Sequence, residues 1–461
     1  MALLTGEAAS SALAFVITIL LARRLTDEGF GRLAFVQAMM VYFTLFMDMG
    51  LATFGAREIA RNPQRTNFYV GAIFGLRLIL ATIVAIPFAV AVYFWPLSME
   101  MRWLCWGSAL ALFTQALNPE FAFQGSEKMS GIAAWRVLVH AFQLLLIVVL
   151  VMDREQLRIV PLLRFAAEAL TLAIMAAWFF RRGMRPHFAW LPGEWRRFLK
   201  ESMVMAASLV VIKLYYTFDT FMLGIIDQPE AVGWYNAAYK IILLFIGLAS
   251  LIQTVFAPHF SRSWNDYKVL DYITQQFGQL LFFIASLISG LLILFKESII
   301  ISIFGMSYIK ASAALELLAI SMFFVFLCTI WMAPLLYIGK QKYYFRVVTT
   351  GAIANIFLNL LLIPSFSFRG AAWATILSNA IIFILGLHIY VKHTEMSVSL
   401  KKLRLWILSF IFIFFLMPFI ITTRFLIVGY VFYFIIYIYL NKNQILMVLK
   451  NFEKPNLFFK A

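Results

Sequence analysis

Hydrophobic runs of membrane-spanning length recur along the whole chain, and positive charge gathers in alternate gaps between them. That pattern restricts the fold more than any other feature of the sequence. A bilayer's hydrocarbon core is about 30 Å thick, and a helix needs about 20 apolar residues to cross it. Of the 461 residues, 63% are hydrophobic and only 13% are charged, and no soluble protein of that length could hide so much apolar surface from water. The chain is therefore expected to use lipid as its solvent, which requires backbone polar groups to be satisfied inside helices. The fold class is an all-α polytopic membrane protein.

The runs divide into about 14 candidate transmembrane helices: 3–22, 31–55, 68–95, 103–125, 131–152, 159–180, 201–226, 233–258, 275–296, 311–338, 346–364, 370–391, 405–421 and 424–440. The first meets Arg23-Arg24 with no small-residue cleavage site, so it reads as a span and not as a cleavable signal peptide. If residues at the very edge of a span are counted with the adjoining gap, gaps after even-numbered spans hold 23 of the 38 Lys and Arg. Gaps after odd-numbered spans hold 10, and five lie within spans. The positive-inside rule then predicts cytoplasmic even gaps and both termini in the cytoplasm. The net charge of +16 is the topological signal and a match to anionic lipid, so no nucleic-acid partner is expected.

Cys105 and Cys328 both fall in apolar runs, and the five histidines are scattered. Neither a disulfide framework nor a metal site is expected, and no cofactor. The longest polar connection, 181–201, is too short for a catalytic domain, and no nucleophile or phosphate-loop constellation appears. The chain reads as a non-enzyme with no catalytic residues.

Two segments repeat in order. Glu28-Gly29-Phe30-Gly31-Arg32-Leu33 after span one matches Glu230-Ala231-Val232-Gly233-Trp234-Tyr235 after span seven, at an offset of 202. Gly125-Ser126-Glu127-Lys128 after span four matches Gly339-Lys340-Gln341-Lys342 after span ten, and Pro119 and Pro334 precede the two copies. Because six spans is an even number, the halves must share one orientation. This predicts two six-helix bundles, 1–190 and 195–395, forming a parallel repeat about an axis along the membrane normal and enclosing a cavity. Residues 400–461 add two C-terminal helices and a cytoplasmic tail.

Several stretches resemble the Wzx-type polysaccharide flippases, in the superfamily that also holds multidrug-extrusion and lipid II flippase proteins. They are Ala22-Arg23-Arg24-Leu25 through Phe30-Gly31, Asp48-Met49-Gly50-Leu51 through Ala56-Arg57-Glu58-Ile59-Ala60, and Asp219 through Gly224. Gly233-Trp234-Tyr235-Asn236-Ala237-Ala238, Gly339-Lys340-Gln341-Lys342, Asn355 and Asn359 ahead of Pro364, and Gly370-Ala371-Ala372 with Ala374-Thr375 complete the set. The resemblance covers spans 1 to 12. It implies transport of a polyprenyl-diphosphate-linked oligosaccharide, such as an O-antigen repeat unit, from the cytoplasmic to the outer leaflet of a bacterial inner membrane. The expected partners are that lipid-linked glycan, membrane lipids and other polysaccharide-assembly membrane proteins, with the chain itself a monomer.

Such a substrate needs a wet, polar cavity for its diphosphate head while its tail stays in lipid. Charges within spans cost roughly 2.5–3.5 kcal/mol at a helix centre on insertion scales, so they face a cavity or a partner. The cation candidates are Arg77, Arg136, Arg164, Lys213 and Lys240, and the candidates for pairing or ion coupling are Asp48, His140, Glu168 and Asp219. Asp48 is placed to hold Arg77, Arg164 and Glu168 form an i, i+4 pair, Arg136 and His140 share a helix face, and Asp219 could pair with Lys240. Glu7, Glu120 and Glu316 read as interfacial, and Trp95, Trp103, Trp106, Trp190 and Trp195 as interface belts. A multidrug or small-cation exporter of the same superfamily is the alternative, but it would favour acidic groups in the lumen. A membrane-embedded glycosyltransferase or polymerase would call for a large extramembrane loop.

Overall fold

The computed structural model describes residues 2–181 and 192–394. Among them the ordered elements are helical. The α-helices are α1 (Ala2–Asp48), α2 (Leu51–Arg61), α3 (Thr66–Phe94), α4 (Met99–Ala116), α5 (Glu120–Gly125), α6 (Met129–Leu150), α7 (Val160–Arg181), α8 (Pro192–Ile226), α9 (Pro229–Arg262), α10 (Tyr267–Leu294), α11 (Lys296–Phe304), α12 (Ala311–Tyr337) and α13 (Gln341–Thr394). Eight helical stretches in the described residues are long and apolar enough to cross a membrane. Two of these, within α1 and α13, are 44 and 54 residues long, about twice what one crossing needs. Each is interrupted by one residue with positive φ, Thr26 (64°) in α1 and Ser367 (56°) in α13. Expected spans 13 and 14 lie outside the described residues, as does Trp190.

Span two was expected to run to residue 55, but its helix stops at Asp48. Met49 and Gly50 take φ of 42° and 78°, and α2 restarts beyond them. Leu51, Phe54 and Ile59 of α2 are apolar because they pack on Tyr69 and Ile73 of α3, Phe121 of α5 and Phe198 of α8, not because they meet lipid. Span four breaks likewise at 117–119, where Pro119 ends one helix and leads into α5.

The chain forms two compact units. Unit 1 comprises the described residues up to Asn236 with Ile303–Ser307, and unit 2 comprises Ala237–Ser302 and the described residues from Tyr308 onward. In unit 1, Trp195 does not sit in an interface belt. Its ring is buried in the α2–α3–α8 cluster and its indole N–H donates to the Ala72 carbonyl at 3.1 Å. A Trp near a span end carries the same signal whether it meets headgroups or a neighbouring helix.

The two copies of the first repeat meet each other inside unit 1. A Cβ on Gly31 would fall 1.8 Å from the Pro229 carbonyl oxygen, and one on Gly233 would fall 2.2 Å from that of Asp27. Under the offset of 202, Asp27 becomes Pro229 and Gly31 becomes Gly233, so the two close approaches are one contact seen from either copy. Only residues without a side chain allow backbones this near. Trp234 adds an indole N–H donated to Asp27 Oδ2 at 2.8 Å.

In unit 2 the two arms of α13 fold back on each other about Ser367. Asn355 donates to Ser378 Oγ, Gly351 packs on Ile382, and Gly370 lies against the Leu362 carbonyl. Buried amide and hydroxyl groups stitch this hairpin to its neighbours: Asn379 donates to Ser321 Oγ on α12 at 3.0 Å, and the Tyr390 hydroxyl donates to Thr274 Oγ1 on α10 at 3.0 Å. Most buried polar groups in an apolar interior are bonded in this way.

Candidate functional site

A polar cavity of about 650 Å³ lies within unit 1. It is walled by α1, α3, α4, α5, α6, α7 and α8, and seven of the nine charged or titratable residues singled out from the sequence line it: Asp48, Arg77, Arg136, His140, Arg164, Glu168 and Lys213. The other two lie elsewhere. Asp219 is buried and accepts a 2.6 Å hydrogen bond from the Tyr235 hydroxyl, and Lys240 is half-buried in unit 2.

Three ion pairs organise the cavity charge. Arg77, only 5% exposed, donates from Nη2 to Asp48 Oδ1, and its guanidinium stands 5.3 Å from the Phe121 ring centroid. Asp48 is fixed in turn by the break that ends α1, because the same oxygen accepts the Ala52 N–H at 3.2 Å in the first turn of α2. Arg77 Nε and Nη1 are buried with no acceptor among the described residues. Arg136 meets Glu120 in a two-point contact, Nε to Oε1 at 3.0 Å and Nη2 to Oε2 at 2.9 Å, and also reaches Glu7 at 3.5 Å. Arg164 Nε donates to Glu168 Oε1 at 3.1 Å, and Thr114 donates to the other oxygen of that buried carboxylate.

His140 Nδ1 lies 2.9 Å from both Ser10 Oγ and the Arg136 carbonyl oxygen. A carbonyl can only accept, so this contact favours the tautomer with its proton on Nδ1 and leaves the Nε2 lone pair available. Lys213 lines the same cavity, and no carboxylate among the described residues pairs with it.

The cavity is thus less cationic than a list of its cations suggests. Arg77, Arg136, Arg164 and Lys213 exceed Asp48, Glu120 and Glu168 by a single charge. Glu120 was expected at an interface because Pro119 precedes it, yet it faces the cavity and holds Arg136. The neutral lining also escaped sequence reasoning: Ser10, Gln37, Thr44, Gln115, Asn118 and Gln143 all contribute. Thr44 donates to Gln115 at 3.0 Å, joining α1 to α4. Several uncharged amides in apolar runs were the available signal, since an amide in hydrocarbon without a partner is costly.

The described residues define an all-helical, multi-pass membrane protein with a polar cavity. The sequence pattern of the polysaccharide biosynthesis protein family matches residues 1–264, and the chain belongs to that family. It is 24% identical over 395 residues to the "Putative O-antigen transporter" of Escherichia coli (strain K12), covering 82% of this chain and 92% of that protein. It is also 24% identical over 330 residues to an uncharacterized membrane protein of Methanocaldococcus jannaschii, covering 67% of this chain and 61% of that one. Among solved structures, lipid II flippase MurJ in an inward closed conformation superposes with a TM-score of 0.76. The sequence identity is 13%, and the match covers 96% of this chain and 99% of that one. An inward-facing multidrug resistance MATE transporter of the MOP superfamily gives 0.66 at 13% identity, covering 84% and 96%. These two likenesses are of fold.

Proposed function

We propose that this protein is a flippase that carries a polyprenyl-diphosphate-linked oligosaccharide, an O-antigen or other surface-polysaccharide repeat unit, from the cytoplasmic to the periplasmic leaflet of a bacterial inner membrane. The observation that carries the reading is the convergence of Arg77, Arg136, Arg164 and Lys213 on one polar cavity. A diphosphate is attracted to cations in a site of lowered dielectric, and guanidinium donors bind its oxygens with directional hydrogen bonds. Lys213 is the cation whose charge is not already matched by a described carboxylate, so it meets the head group most directly. Arg77, held by Asp48, adds its positive charge to the same cavity wall. The amides of Gln37, Gln115, Asn118 and Gln143 suit sugar hydroxyls.

Family membership and the O-antigen transporter relative support this substrate class. In this account the helices form two six-helix bundles, 1–190 and 195–395, with two further helices in 400–461. Both termini are cytoplasmic, and the bundles alternate access to the cavity. The likeness to a multidrug transporter raises a drug or small-cation exporter as the second reading, but the cavity disfavours it because Asp48, Glu120 and Glu168 are all engaged by arginines. Deleting the gene tests the proposal. A polyprenyl-diphosphate oligosaccharide should accumulate in the cytoplasmic leaflet, whereas unchanged lipid-linked intermediates together with drug sensitivity would favour the exporter.

A further inference from the structure

We propose that the end of unit 2 bearing Lys340, Lys342, Arg346, Lys392 and His393 is a docking surface for anionic phospholipid headgroups of the cytoplasmic leaflet. The fold brings these residues together from both ends of one long helix. Because α13 folds back about Ser367, its first residues and its last lie side by side. The Tyr343 ring stacks on His393 with centroids 3.9 Å apart and planes 34° apart. Arg346 lies over the other ring of that pair, 5.6 Å from the Tyr343 centroid. Gly339, at φ 78°, makes the tight turn that leaves α12 and brings Lys340 to the same end, where Lys340 and Lys392 both act electrostatically on His393.

No carboxylate among the described residues pairs with any of the five. Lys342, Arg346 and Lys392 are exposed. The basic residues of α2 behave otherwise: Arg57 pairs with Glu58 and Glu201, and Arg61 with Glu58. Four permanent charges on a stack-pinned platform, none of them neutralised by a carboxylate among the described residues, match a surface of lipid phosphates, which attracts juxtamembrane basic residues. Planar guanidinium and ammonium groups bind phosphate oxygens in complementary ways. The assignment of this end to the cytoplasm rests on the topology in the proposed function.

The test uses the full-length protein in vesicles of phosphatidylglycerol and phosphatidylcholine containing a trace of phosphatidylglycerol with a photoreactive headgroup. Wild-type protein should crosslink within 340–346 and 392–394. Lys342→Gln with Arg346→Gln should lower that labelling by about 25-fold, at roughly five-fold for each surface cation lost. Arg61→Gln should leave it unchanged. Equal labelling of the double variant and wild type, or labelling displaced by a polyprenyl diphosphate but not by unlabelled phosphatidylglycerol, overturns the proposal. Orientation is read separately, from Lys342→Cys treated in spheroplasts with a membrane-impermeant thiol reagent. Modification from outside sinks the topology and this surface together, whereas protection from outside without headgroup crosslinking sinks the surface alone.

Discussion

Replacing Asp48 with Asn tests whether the cavity arginines are held by their carboxylates. Asparagine keeps the size and the acceptor for the Ala52 N–H but removes the charge opposite Arg77. Arg77 is 5% exposed, and its Nε and Nη1 already have no acceptor among the described residues. Losing the carboxylate charge would leave a buried guanidinium facing a neutral amide and the Phe121 ring, with no counter-charge among the described residues. Breaking a buried pair from one side costs about 3–5 kcal/mol, a large share of the 5–15 kcal/mol typical of a folded domain. Removing both charges, as in Asp48→Asn with Arg77→Met, should restore most of that loss, because no charge then remains buried alone. Reversible unfolding in mixed micelles with increasing dodecyl sulfate gives the three free energies. An Asp48→Asn variant within about 0.5 kcal/mol of wild type, the range of ordinary surface substitutions, would refute the reasoning.

Two further outcomes follow from contacts elsewhere in unit 1. Gly233→Ala would set a methyl 2.2 Å from the Asp27 carbonyl and force the paired repeat segments apart. It should reduce surface glycan display while an exposed control such as Gly247→Ala, with no atom within 4 Å, does not; equal display from both would contradict the close-packing argument. Tyr235→Phe removes the hydroxyl that donates to buried Asp219 and should cost about 1.5–3 kcal/mol in the same unfolding assay, with no change counting against it.

Most of the helices were legible because hydropathy reads length and apolarity directly, and α3, α6, α7 and α12 begin and end within a few residues of the runs that define them. Hydropathy could not separate burial against lipid from burial against protein. That is why Leu51 and Phe54 seemed to prolong span two and why Trp195 read as a belt residue, when both segments pack in one cluster. The charged part of the site was legible for a related reason. An ion within a span needs a cavity or a partner, so Arg77, Arg164 and Lys213 stood out one by one. The partner of Arg136 did not, because the interruption at Pro119 made Glu120 look peripheral, whereas α5 turns it toward the cavity. Gln115 and Gln143 carry no charge, and only three-dimensional proximity shows that they share a wall with the arginines.

Translocation measured in vesicles bears most directly on the central claim that the unit 1 cavity carries a glycosyl diphosphate head across the bilayer. Purified protein would be reconstituted with a fluorescent polyprenyl-diphosphate oligosaccharide, and exchange between leaflets followed by quenching with an impermeant reductant. Wild type should exchange the lipid well above protein-free vesicles, and Lys213→Ala should slow it by about 10- to 150-fold, equivalent to losing one charged hydrogen bond of about 1.5–3 kcal/mol. Lys213→Arg should keep most of the rate. Exchange by Lys213→Ala at the wild-type rate, or no exchange by wild type above the protein-free background, would contradict the account.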